Sequence, residues 1–503
     1  MKVLLLEHPR SIMQERCNDI ANTPLSSCLI SGYAAGMLMK GGHAVEIIEG
    51  YLEGLSYEQI EERIRAFAPD ILGVHMVYHW REDFALFAFL ERVGQSRLAS
   101  AITAYGFFAT LAAPDILRQC AAVDAVIIGE AEAPFAALAE AGAAGISFTT
   151  IPGIAVRDSS GGIKYTNQET VRDLDAIPFP VRTEALYRLP EVNLLGSRGC
   201  YGSCTFCYIN GYYGKESPWR GRSPENIAAE ITRIVERTGK REFYFTDPNF
   251  FGPGQAGQDR ALRIAALLKP ISILFGIEGR VNDIHDDTIA ALVDAGLRHM
   301  LIGLESGRDE SLRRMNKMTT VAQNENALRI LRKRGIEPNV GFIMFEPDSS
   351  LEDIRINFEF LKRNDLLKNL PVTANVLYHH QIVLEGTQAF HALEREGRLE
   401  SRPTPYEGNA QLRNPGVAVL ADIMRQVTNV LFSRMDGIWS GKLMEPPGMQ
   451  RQYEEINRIL VALFEINLSA LEAGDIFDAG GIALRVRAAE KEIEDILNDC
   501  QII

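Results

Sequence analysis

Short, continuously apolar runs alternate with longer amphipathic stretches in two successive series along this chain, and that alternation restricts the fold before any single residue is considered. In residues 1–150 the apolar runs are Val3–Leu6, Ala44–Ile48, Ile71–Met76, Ala101–Ala104 and Ala125–Ile128. Stretches with helical spacing lie between them at Gly32–Lys40, Ser56–Phe67, Asp83–Val93 and Pro114–Gln119. A strand that is apolar at every position is buried on both faces, which a parallel sheet covered by crossover helices provides. The expectation is a Rossmann-like, doubly wound α/β domain over 1–150. Ligands of such sheets lie beyond the carboxyl ends of the strands, here at Glu7–Pro9, Glu49–Gly50, Val77–Tyr78, Tyr105–Gly106 and Gly129–Glu130. No GxGxxG is present, so a dinucleotide is not expected.

Residues 151–190 read as a connector. IPGIAVRDSSGGIKYTNQE predicts a hairpin turning at Ser159–Gly162, and the two prolines of DLDAIPFPVR predict an extended passage. The second series covers 191–390, with strands expected at Val192–Leu195, Phe243–Thr246, Ile271–Gly276, His299–Leu304, Val340–Phe345 and Thr373–Tyr378. Helices are expected at Pro224–Arg237, Arg260–Leu268, Asp286–Ala295, Ala322–Arg334 and Leu351–Arg363. Six strand–helix units predict a partial (β/α)6 barrel with its chemistry at the carboxyl ends of the strands. Residues 400–503 lack strand patterning, and 391–503 is taken as a helical C-terminal domain, with Ser401–Pro415 as a loop.

With 503 residues and a formal net charge of −14, the chain has room for several cores but no broad electrostatic footprint for nucleic acid or anionic membrane. MKVLLLEHPR lacks the apolar core of a signal peptide, and no apolar run reaches the roughly 18 residues of a membrane span. A cytoplasmic protein is expected. Of its seven cysteines, Cys17, Cys28, Cys120 and Cys500 are scattered, whereas Cys200, Cys204 and Cys207 cluster. An odd total with one cluster is not a disulfide framework.

The cluster lies in GCYGSCTFCYINGYYG, directly after the first strand of the second series. Three soft thiolates suit three irons of a [4Fe–4S] cluster and leave the fourth open. A structural zinc is the alternative, but it usually takes four ligands, and no fourth cysteine or close histidine is near in sequence.

This C-x3-C-x2-C loop with an aromatic at Phe206 resembles the signature of the radical S-adenosylmethionine (SAM) superfamily, over roughly residues 190–390. The resemblance implies that Cys200, Cys204 and Cys207 hold a catalytic [4Fe–4S] cluster. It also implies SAM contacts at Asp247 in FTDPNF, at Glu278 and Arg280 in GIEGR, and at Glu305 and Ser306 in LIGLESG. VGFIMFEP resembles the segment lining the adenine, and LEGTQAF, with Gly386 and Thr387, the stretch after the sixth strand. VDAVIIGEAEAPFAAL, with FAPDILGVHM and AITAYGFFATLAAPDIL before it, is similar to the cobalamin (B12)-binding domain of one large class of these enzymes. Tyr105, Gly106, Gly129 and Glu130 are then the expected cobalamin contacts. No D-x-H-x-x-G is present, and His43, His75 and His79 do not have its spacing, so no histidine ligand to cobalt is inferred.

The class implies reductive cleavage of SAM to start radical chemistry on an unreactive carbon, with methylcobalamin as methyl donor. The leading expectation is a cobalamin-dependent C-methyltransferase of specialised metabolism, acting on a small molecule and reduced by an external donor such as flavodoxin or ferredoxin. The competing readings are a rearrangement, cyclisation or oxidation on the same scaffold, a tRNA-modifying enzyme, and a non-catalytic iron–sulfur or cobalamin sensor. Tyr378, His379 and His380 leave the sixth strand where a substrate would lie, as structural or acid/base groups.

Overall fold

The computed structural model describes residues 1–9, 25–76, 83–146, 148–167, 170–214, 219–399, 407–408, 410–439, 444–446 and 448–498. Cys17, Val77–Tyr78, His79, Cys500 and residues 401–406 and 409 of the Ser401–Pro415 loop lie outside them.

The first series folds as its pattern requires. Strands β1 (Lys2–Glu7), β2 (Ala44–Glu49), β3 (Ile71–His75), β4 (Ala101–Tyr105) and β5 (Ala125–Ile127) are parallel in the order β2-β1-β3-β4-β5. Helices Leu25–Lys40, Tyr57–Phe67, Asp83–Gln95, Ala113–Gln119 and Glu132–Ala144 connect or follow them. Val3 through Leu6 are fully buried, as are Leu72 and Val74 of the neighbouring strand. Helix Tyr57–Phe67 starts at a capping box in which Ser56 and Gln59 satisfy each other's backbone N–H groups.

The hairpin turns where expected and joins this sheet. Strands β6 (Ile154–Arg157) and β7 (Ile163–Tyr165) add antiparallel to β5, giving seven strands. Asp158 closes the turn by accepting from Ser160 N at 2.8 Å and Gly162 N at 2.9 Å.

In the second series, β8 (Val192–Leu194) leads into an antiparallel ribbon of β9 (Ser197–Gly199) and β10 (Trp219–Gly221). Strands β11 (Glu242–Phe245), β12 (Leu274–Arg280), β13 (Leu297–Glu305) and β14 (Asn339–Phe342) then complete a five-stranded parallel sheet with β8. Helices Pro224–Thr238, Gly254–Leu268, Asp286–Asp294, Val321–Lys333 and Leu351–Arg363 separate its strands or follow the last of them. The third strand starts later than expected, because Lys269–Ile271 is a 3-10 turn, and it runs on to include Glu278 and Arg280.

The sixth strand differs. Thr373–Tyr378 is the body of a helix, Leu370–Tyr378, and not a strand. Asn369 caps it by accepting from Val372 N, and Pro371 occupies its first turn. Every residue of Thr373–Tyr378 except the exposed Asn375 is buried between barrel and C-terminal helices, and so short a stretch with one exposed position reads alike as a helix or a buried strand. A single parallel bridge, Phe345 to His380, holds the sixth place, with Phe345 N donating to His379 O at 3.1 Å and Gln381 N to Phe345 O at 3.0 Å. Helices Pro415–Trp439, Gln450–Glu472 and Ala479–Asn498 pack on this side and share one core with the barrel. Among the described residues, no helix is long and apolar enough to cross a membrane.

The extended passage into the barrel is tied down by charge. Glu230 accepts from Arg182 at 2.6 Å and from Arg222 at 2.5 Å, with all three side chains at most 4% exposed. Arg182 also donates to Asn193 O, in the middle of β8, and Arg222 to Leu195 O, just after it. Replacing Glu230 by alanine strands two buried guanidinium groups. A loss of about 3–5 kcal/mol is expected, read as a lowered midpoint in urea unfolding followed by barrel fluorescence.

Candidate active site

The cysteine loop leaves β9 at Gly199 and is held from three sides. Asn210 Nδ2 donates to Gly202 O at 2.5 Å, Asn316 Nδ2 to Ser203 O at 2.9 Å, and Thr205 N to Met315 O at 2.9 Å. Ala389 N donates to Thr205 O at 2.9 Å, so the helix after the sixth position also braces the loop. The thiols of Cys200, Cys204 and Cys207 are free and half-buried. Phe206 packs beside Leu312, Met315 and Ile343.

Two cations face these sulfurs. Arg280, at the end of β12, brings Nη1 to 3.7 Å from Cys204 Sγ, donates through Nη2 to Lys317 O, and lies over the Tyr201 ring. Gly202 leaves the space Arg280 occupies, since a Cβ there would collide with the guanidinium. Burial pushes the Cys207 thiol up to about 12 and raises that of Cys200, while Arg280 and Lys317 favour the Cys200 thiolate and Lys317 that of Cys207. Among the described residues no three His, Cys, Asp or Glu side chains converge on a point for a single metal ion, the arrangement zinc needs. Three sulfurs backed by two cations fit an anionic iron–sulfur cluster, in which each thiolate takes its own iron.

The expected SAM residues divide in two. Arg280, Glu278 and Glu305 come to the same end of the barrel. Glu305 has φ +61 at a bulge between β13 and β14, a conformation that costs a non-glycine residue about 1–3 kcal/mol. Its carboxylate accepts from the buried Lys317 ammonium at 2.6 Å. Glu278 is held by Tyr244, yet its Oε1 is buried without a hydrogen bond, and burial and then Asp247 push its carboxyl up to about 8. Asp247 and Ser306 also bond to other parts of the chain. Asp247 accepts from Gly196 N at 2.7 Å and Ser197 Oγ at 2.7 Å, and burial, opposed by Arg260, raises its carboxyl to about 6. Ser306 Oγ donates to Asn357 and accepts from Arg308 N.

The first domain brings its carboxyl edge to this loop. Tyr105 is buried, with its hydroxyl 2.7 Å from Ser31 Oγ and its ring stacked on His75. Gly106 has φ +108, and a Cβ there would run into His75 and Met76 O, so the chain can turn here only without a side chain. Phe107, next in line, meets Tyr208 and Tyr212 edge-on at 4.8 and 4.4 Å, directly beyond Cys207. Gly129 N donates to Thr110 Oγ1 at 2.9 Å. Both oxygens of Glu130 accept from arginines, Arg198 at 2.5 Å and Arg220 at 2.9 Å. Tyr378 is buried in the helix Leu370–Tyr378, and burial pushes the His380 imidazole down to about 4.

Sequence reasoning missed Lys317, Arg198 and Arg220. None belongs to a recognised motif; the available signal was that buried arginines and lysines need carboxylate partners, and Glu130, Glu132 and Glu305 were already singled out or adjacent.

Residues 194–361 match the family model of the radical SAM superfamily, and residues 31–139 that of the B12 binding domain. The chain is 26% identical, over 73% of its length and 79% of the relative's, to an uncharacterized methyltransferase of Pyrococcus horikoshii. It is 27% identical to an anaerobic magnesium-protoporphyrin IX monomethyl ester cyclase of Synechocystis, over 67% of each chain. Its fold resembles that of the cobalamin-dependent S-adenosylmethionine radical enzyme OxsB with aqua-cobalamin and SAM bound, with a TM-score of 0.79 and 20% identity over 99% of this chain and 80% of that one.

Two outcomes test these electrostatics. Lys317→Met leaves Glu305 buried without its cation; a loss of about 3–5 kcal/mol is expected, visible as a lower thermal midpoint and less iron retained after anaerobic reconstitution. Glu278 carries a carboxyl raised from 4.5 to about 8, so the folded chain holds a proton the unfolded chain has lost. Its contribution to stability is full below about 4.5, falls as pH rises between 4.5 and 8, and is flat above. Glu278→Gln should flatten that part of the stability–pH curve measured in urea.

Proposed function

Because residues 194–361 are a radical SAM domain and residues 31–139 a B12-binding domain, the chain is a radical SAM enzyme of the cobalamin-dependent class, and we propose that it is a C-methyltransferase acting on an unactivated carbon of a small molecule. The observation that carries this reading is the junction of the two halves, where Phe107 of the first domain packs against Tyr208 and Tyr212 beside Cys207. A methyl carrier and a radical source must share one cavity, and this contact supports that.

When bound, the [4Fe–4S] cluster, SAM and cobalamin supply reductive cleavage of the sulfonium and a transferable methyl group. Cys200, Cys204 and Cys207 would hold the cluster, with Arg280 and Lys317 offsetting its negative charge. Glu278 and Glu305 would meet polar groups of SAM; the unpartnered Oε1 of Glu278 supports its assignment. Tyr105, Gly106 and Gly129 would meet cobalamin at the strand ends. The aromatic contacts of Phe107, Tyr208 and Tyr212 beside Cys207 would keep water from the reacting groups. Domains are assigned as 1–150 for cobalamin, 151–190 as connector, 191–390 for radical chemistry and 391–503 as the helical region. An external one-electron carrier of the flavodoxin or ferredoxin type would supply electrons.

A second reading, cyclisation or another non-methylating radical outcome, is favoured by the likeness to the cyclase. The two separate without knowledge of the substrate. Protein loaded with iron, sulfide and cobalamin is given methyl-deuterated SAM and dithionite. A methyltransferase yields S-adenosylhomocysteine and deuterated methylcobalamin alongside 5′-deoxyadenosine; 5′-deoxyadenosine alone sinks the methyltransferase reading. Alanine at Cys200, Cys204 or Cys207 should abolish 5′-deoxyadenosine, and turnover persisting in any of the three overturns the ligand assignment.

A further inference from the structure

The ribbon that carries the cysteine loop contains a conflict that the first domain resolves. Arg198 of β9 and Arg220 of β10 are directly opposite each other in an antiparallel pair, and Arg198 stands two residues before Cys200. Opposed residues in such a pair put their side chains on one face, where like charges repel. Both arginines are also at most 8% exposed, so water does not screen them.

Their partners come from the segment after β5. Glu130 sits between them, its Oε1 accepting from Arg198 at 2.5 Å and its Oε2 from Arg220 at 2.9 Å. Glu132, in the first turn of the helix Glu132–Ala144, accepts from the second terminal nitrogen of Arg198 at 2.5 Å. Aromatic faces close the ends, with Tyr33 5.0 Å from the Arg198 guanidinium and Tyr213 5.7 Å from that of Arg220. Arg220 also donates through Nη1 to Val171 O in the connector.

We propose that Arg198 and Arg220, bridged by Glu130 and Glu132, are positioning residues that register the cobalamin domain against the cysteine loop, so that the loop takes its working geometry only when that domain is docked. This rests on the functional reading given above for the cobalamin-domain role, but the ion-pair device itself does not. The arginines are not equivalent. Arg198 spans two carboxylates with two nitrogens, which a lysine ammonium cannot do, whereas Arg220 reaches Glu130 with one nitrogen, which a lysine can imitate.

The test uses the full chain in three variants: R198K, R220M and R220K. Hydrogen–deuterium exchange of the ribbon amides, measured without added cofactor, reads docking directly. R198K and R220M should exchange about tenfold faster than wild type, and R220K within about twofold of it. On protein reconstituted with cluster and cobalamin, electron paramagnetic resonance reads the broadening of the cob(II)alamin signal by the reduced cluster. That broadening should weaken in R198K and R220M at equal iron and corrinoid content and persist in R220K. Wild-type exchange in R220M, or R220K behaving like R220M, overturns the proposal, because charge bridging would then not set the ribbon. Wild-type protein that takes up no corrinoid sinks the cobalamin assignment instead, and the exchange measurement still decides the clamp.

Discussion

Four buried arginines and three buried glutamates hold the junction of the two halves and the ribbon at the entrance to the barrel. Arg198 and Arg220 meet Glu130 and Glu132 at the domain junction, Arg182 and Arg222 meet Glu230 along the entrance to the barrel, and Arg260 donates to the carbonyls of Gly196, Arg222 and Phe250 around the same ribbon. Taking such groups from water costs several kcal/mol each, and geometry must return it. Buried ion pairs are poor sources of net stability, but they are intolerant of displacement, since a shift that separates one pair strands both charges. Their use here, at a short two-stranded ribbon without a core of its own, fits a demand for alignment more than for strength.

The barrel end facing the ribbon has the same economy. Arg280 lies beside Cys204, Lys317 favours the thiolates of Cys200 and Cys207 against a burial that raises both, and Lys317 is itself held by Glu305. Positive charge placed there in advance would lower the cost of assembling an anionic cluster, because the protein has already ordered the dipoles and cations that meet it. Glu278 stands apart as a buried carboxyl with an unpartnered oxygen, kept neutral by its surroundings. A group so disposed accepts or donates a hydrogen bond to whatever fills the space in front of it.

The alternation of apolar strands and amphipathic helices made most elements legible. The five parallel strands of the first sheet and all five predicted barrel helices overlap their expected places, because each buries surface in a periodic way that its own residues declare. Thr373–Tyr378 did not, since a six-residue stretch with one exposed position, Asn375, is too short for its periodicity to distinguish strand from helix. At the site, the cysteine spacing and GIEGR pointed to residues that the fold assembles. Asp247 bonds Gly196 and Ser197, and Ser306 bonds Asn357, partners that the motifs did not name. Motif order reports position along a strand, not which neighbour a side chain finds.

What this amino-acid sequence determined alone is therefore local or periodic: the layers of the two α/β halves, the loop that carries three thiols, and the strand ends where polar residues collect. Tertiary structure decided the pairings between distant segments. Glu130 met Arg198 across 68 positions and Lys317 met Glu305 beside a bulge, and neither could be read from patterning. The physical reason is that burial follows from the spacing of apolar groups along one element, whereas a charge's partner depends on how two elements dock, which is a property of the whole fold.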